Sequence, residues 1–252
     1  MPGLDALAVP VLVAVVLQAV GLLATALLLT ETRPSRGWHA VRRSVAAVPA
    51  TVVGGLRSLA APVLAGLVAV EVTWGFGMVT FEQLMPVRLA EVVGDRDQAA
   101  ALLGPVASAG WLVSAAGAAV VPAISRRFGT AAAAAAMRVA QGLTVAGMAF
   151  AAGPFGVIAA YLATYAVHGA SNPAHRTLLH RQVENGRRNT VLSLNSMAGF
   201  AAFALGAVVL TALADATSLS TAIVAGAVVL ALGAPLYLPA QRQARRRALI
   251  PG

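Results

Sequence analysis

Four polar side chains, Tyr161, Tyr165, His168 and Asn172, interrupt an otherwise apolar stretch. They stand at i, i+4, i+7 and i+11, so a helix turning about 100° per residue gathers them within roughly 60° of one another. Lipid cannot satisfy hydrogen-bonding groups, so a stripe of this kind turns toward protein or water. Imidazole changes charge near neutral pH, which suits His168 to proton movement. The alternative is a neutral ring bonded to a backbone carbonyl of the next helix. Tyr161 and Tyr165 fit either helix contacts or the wall of an apolar cavity.

A second set lies at Glu71, Met78 and Glu82, at i, i+7 and i+11, with Trp74 at its margin. Glu71 falls about 18 Å along the helix from Leu59, deep in a hydrocarbon layer. A carboxylate at that depth must be protonated, paired or in contact with water. It is either an acid coupling transport to protons or cations, or half of a structural pair. Glu82 falls nearer the far surface and reads as solvated. Arg138 lies about 12 Å into its own apolar run. It either snorkels to the interface or takes a carboxylate partner, for which Glu71 is the candidate at membrane depth. Gln18, Gln141 and Asn195 read as amide bridges between helices.

Other chemistry finds little support. His168, His175 and His180 are seven and five residues apart, which misses the helical i, i+4 pairing of a metal site. No Gly-rich phosphate loop, serine elbow or paired-carboxylate arrangement appears, so neither an enzyme nor a cofactor is expected. Cysteine is absent, and every basic residue is arginine, which excludes a lysine Schiff base.

The elements that position these residues are read from the apolar runs. Charged residues make up 11% of the chain and hydrophobic ones 59%, with a mean hydropathy of +0.80. Soluble domains carry about 25% charge, so an all-α integral membrane protein is expected. Seven runs reach the length of about 20 residues that a crossing needs: 8–29, 59–79, 99–124, 130–152, 154–171, 190–213 and 219–238. Pro173 is expected to kink or end the fifth. The net charge of +9 comes from arginines in short turns rather than on one face, so nucleic acid is not an expected partner.

Arginine placement sets the orientation. Fifteen arginines fall on one side: Arg33, Arg36, Arg42, Arg43 and Arg57, Arg126 and Arg127, Arg176, Arg181, Arg187 and Arg188, and the tail from Arg242 to Arg247. The other side holds Arg88 and Arg96 beside Asp5, Glu91, Asp95, Asp97 and Asp215. The positive-inside rule then puts the N-terminus outside and the C-terminus in the cytoplasm of a multi-pass plasma-membrane protein. The N-terminal residues carry no signal-peptide pattern. A short surface helix is expected around residues 38–48, and Gly and Ala throughout the spans allow close helix packing.

The loops resemble those of the major facilitator superfamily of transporters. Glu31-Thr-Arg-Pro34 resembles the exit from that family's sixth helix, and the basic connection after it looks like the central cytoplasmic linker. Arg126-Arg127-Phe128-Gly129 is similar to the turn joining the eighth and ninth helices, with Arg126 at its acidic position. His180 through Glu184 and Arg187 through Asn195 look like the loop before the eleventh helix of efflux-type members.

The resemblance implies a first span at residues 1–30 equivalent to the sixth helix, a basic cytoplasmic linker at 31–57, a six-helix transmembrane bundle at 58–240 and a basic tail at 241–252. It covers the family's C-terminal half plus one helix. A truncated transporter is therefore expected, or one that assembles with a separate N-terminal half or a second copy. The implied activity is proton-coupled efflux of small amphipathic compounds, with Glu71, Trp74, Met78, Arg138, Tyr161, Tyr165, His168 and Asn172 along the pathway. The competing readings are a non-transporting membrane subunit and a seven-helix receptor.

Overall fold

The computed structural model describes residues 8–29, 37–183 and 188–249. Residues 31–34 and 184–187, which carry part of the family resemblance, lie outside that set. The described residues are all-α, with no strand among them, and fall into two units, Met1–Pro49 and Ala50–Gly252.

The first unit holds α1 (Ala8–Leu28) and the start of α2 (Trp38–Ser58). Every described side chain of α1 from Val11 onward is exposed, although the helix is apolar all round. That pattern suits lipid rather than water. The helix α2 runs ten residues beyond the short segment the sequence suggested, and it carries Arg42, Arg43 and Arg57.

The second unit is a bundle of α3 (Pro62–Val79), α4 (Met85–Val93), α5 (Arg96–Phe128), α6 (Thr130–Phe150), α7 (Pro154–His180), α8 (Arg188–Ala216), α9 (Leu219–Leu232) and α10 (Leu238–Ala248). A π turn, Thr80–Leu84, joins α3 to α4 in one rod, and a 3₁₀ turn, Pro235–Tyr237, joins α9 to α10. Pro86 accounts for the π turn. It has no N–H, and its ring would press on the carbonyl four residues back, so the helix widens just before it. At the far end Gly94 closes α4 at φ 75°, and Asp95 caps α5 by accepting from the N–H groups of Asp97 and Gln98. Gly129, at φ 83°, makes the one-residue turn from α5 to α6.

Helix contacts are made by small residues. A side chain on Gly75 would run into the Gly199 carbonyl, and one on Gly117 into the Ala166 carbonyl. The backbones of α3 and α8, and of α5 and α7, therefore touch directly, the close approach that small residues allow between helices. The outer faces stay apolar and open: Leu112, Phe150, Phe155 and Phe200 are each more than 70% exposed. A water-facing bundle does not present such a surface.

Among the described residues, six helices are long and apolar enough to cross a membrane: α1, the α3–α4 rod, α5, α6, α8 and the α9–α10 rod. The helix α7 has 27 residues, enough length, but its polar positions leave it short of that apolarity. Pro173 lies inside α7 and does not end it, so the helix extends nine residues past the expected limit.

Candidate functional site

Glu71 sits midway along α3 with its side chain 14% exposed. Gly199 on α8 lies against it: a methyl group there would come within 3.0 Å of the Glu71 Cγ. With no side chain at that position, the carboxylate turns into a cavity of about 180 Å³. Trp74 from the same helix, Asn172, His175 and Arg176 from α7, and Asn195 from α8 line it with Glu71. His175 and Asn195 are buried, at 2% and 7% exposure, and among the described residues His175 Nε2 and Asn195 Oδ1 make no hydrogen bond of good geometry. His175 Nε2 stands 3.5 Å from Glu71 Oε2. A carboxylate beside two unsatisfied buried polar atoms is a site built to meet a polar group or a proton.

Behind His175 lies a cation. Arg138 on α6 is 1% exposed and donates from Nη1 to Gln141 Oε1 at 2.8 Å. It does not snorkel: its stem packs toward Gly233 at the end of α9, and the side chain stays in the bundle interior. Among the described residues it makes no direct ion pair with Glu71. Tyr237, fully buried in the 3₁₀ turn, places its hydroxyl 2.9 Å from His175 Nδ1.

The α7 stripe divides. Asn172 belongs to the Glu71 cavity and also reaches His168, Nδ2 to Nε2, at 3.3 Å. The His168 ring stacks on Trp74, with centroids 5.6 Å apart and planes 19° from parallel. No backbone carbonyl of a neighbouring helix holds it, and its Nδ1 is buried without a partner. Tyr161 and Tyr165 are buried ring contacts within a cluster that includes Phe81 and the partly buried Met78. Neither tyrosine lines the Glu71 cavity.

Glu82 corrects the sequence reading. Although exposed, it is not merely solvated: its Oε1 accepts from the Tyr165 hydroxyl at 2.6 Å, tying the π turn to α7. The outer arginine Arg88 also has a local partner set. It pairs with Glu91 at 2.6 Å and donates to the carbonyls of Ala149 and Ala151 at 3.2 and 3.1 Å. Its charge thus sits on the C-terminal end of α6, where the helix dipole favours a cation.

The sequence does not single out His175 or Tyr237 as site residues, and it reads Asn195 as a helix bridge, whereas the structure places all three at or beside Glu71. The missed signal for His175 was periodicity: it follows His168 by seven residues and Asn172 by three, so it continues the stripe once Pro173 is helical. Among the described residues, no group of three or more His, Asp or Glu side chains is placed to hold a metal. No protein-family model matches the chain, and no curated protein matches it.

Proposed function

We propose that this chain is a multi-pass membrane transport bundle of the major-facilitator type, moving small amphipathic compounds in exchange for protons. The observation that carries the reading is the placement of Glu71. It is a carboxylate halfway along an apolar helix that faces a polar cavity inside the bundle instead of lipid. Membranes tolerate ionisable groups where they serve proton or ion movement. The helix α7 counts as the seventh span in this reading: its polar face is turned into the bundle, which compensates for its lower apolarity.

Glu71 is the proton site, Arg138 its buried counter-charge, and Trp74 and Asn172 contact the substrate beside it. His168, Tyr161, Tyr165 and Met78 form the wall above. Alternating access works by two bundles rocking about a midplane site, so the active form pairs this bundle with a second copy or a separate half. The plasma membrane is the expected location, with the N-terminus outside.

The test uses membrane vesicles carrying the full chain, a trapped pH-sensitive dye and ethidium as probe. Ethidium is expected to drive proton counterflow, and Glu71→Gln to abolish it. Unchanged coupled flux in Glu71→Gln refutes the proton role. Flux absent from the unaltered chain, across ethidium and other amphipathic cations, refutes transport by copies of this chain alone.

A further inference from the structure

The tautomer of His175 follows from the atoms around it. A tyrosine hydroxyl has a single hydrogen and two acceptor sites, and a neutral imidazole has one donor and one acceptor nitrogen. The Tyr237 hydroxyl lies 2.9 Å from His175 Nδ1. A nitrogen that accepts there leaves the ring proton on Nε2, which stands 3.5 Å from Glu71 Oε2. The opposite arrangement, with the proton on Nδ1, would set a bare nitrogen lone pair against those of the ionised carboxylate.

We propose that Tyr237, His175 and Glu71 form one directed chain of donors, in which Tyr237 locks His175 as the neutral Nε2–H tautomer and His175 presents that N–H to the carboxylate. The chain crosses three elements: the 3₁₀ turn after α9, α7 and α3. Other groups bear on the ring as well. Asn195 from α8 and Arg176 from α7 itself line the same cavity. His175 and Tyr237 are therefore positioning residues, holding Glu71 turned into the cavity. Their importance for function rests on the role proposed above for Glu71, but the tautomer is a property of the fold alone.

The deciding measurement is made on the full chain in lipid nanodiscs with ¹⁵N-labelled histidine. The chain has four histidines, and His175→Gln identifies the signal of interest. At neutral pH the His175 ring is expected to be neutral, with its proton on Nε2 and Nδ1 accepting. Tyr237→Phe removes the donor to Nδ1 and is expected to shift the ring to a mixture of tautomers or to Nδ1–H. An imidazolium or an Nδ1–H ring in the unaltered chain overturns the proposal. So does a Tyr237→Phe protein that folds and keeps the Nε2–H ring unchanged. If Tyr237→Phe does not fold, the tautomer in the unaltered chain decides. No transport is measured, so a failed flux experiment and a failed tautomer experiment refute different claims.

Discussion

The Tyr165 hydroxyl donates to Glu82 Oε1 at 2.6 Å, linking the middle of α7 to the π turn in the α3–α4 rod. The acceptor is an exposed carboxyl oxygen and the donor ring is buried against Phe81, Tyr161, Trp111 and His168. Two different losses can therefore be separated at one residue. Tyr165→Phe keeps the ring and removes the bond, and Glu82 recovers water because it is exposed; the expected cost is about 1–2 kcal/mol. Tyr165→Ala removes the ring too, at about 3–5 kcal/mol. Thermal unfolding in detergent measures both, and equal losses would show that the ring contributes nothing.

The glycine contacts give a second prediction. Gly75→Ala places a methyl group on the Gly199 backbone, which cannot step aside, so α3 and α8 must separate. Overpacking of this kind costs about 1–3 kcal/mol. Gly104 lies on α5 with nothing near its Cβ position, and there alanine is expected to stabilise by up to about 1 kcal/mol through helix propensity alone. Opposite shifts in melting temperature check the pair.

Arg138 and Glu71 should behave as a coupled pair despite making no direct contact. Removing one partner of a buried pair leaves an uncompensated charge, so Arg138→Met is expected to cost about 3–5 kcal/mol. Glu71→Gln made in the Arg138→Met background should recover part of that loss. A double-mutant cycle in denaturant is expected to return a coupling of roughly 0.5–3 kcal/mol. Strictly additive losses would remove Arg138 from the site.

The orientation can be read chemically because the chain contains no cysteine. Asp215, at the end of α8, and Ala244, on α10, are both exposed. In right-side-out vesicles a membrane-impermeant maleimide is expected to label Asp215→Cys and to spare Ala244→Cys until the vesicles are opened. The reverse pattern would invert the topology drawn from the arginines.

What the sequence made legible follows from which signals are local. Helix positions rest on runs of apolar residues and on short-range stops such as Gly94-Asp95 and Gly129, so most limits fall within a few residues. Glu71 stands out because nothing near it in sequence explains a carboxylate at that depth. His175 was obscured by Pro173, a local signal that the surrounding packing overrides. Tyr237 was invisible for another reason: its role depends on a 3₁₀ turn carrying it 62 residues across the fold to His175. The bond between Tyr165 and Glu82 spans 83 residues, and no periodicity within either helix encodes such a pairing.

The polarity of α7 bears on how the protein is made. A nascent segment partitions into the bilayer by its own apolarity, and α7 is the long helix of the bundle that lacks enough of it. Its polar side chains meet Glu71 and Trp74 on α3, which is synthesised earlier, and Asn195 on α8 and Tyr237, which are synthesised later. In a membrane, insertion of α7 would then be a cooperative event, complete only when the later partners shield His168, Asn172 and His175. On the transport reading proposed above, the side chains given to the pathway are the same ones that would make biogenesis dependent on order.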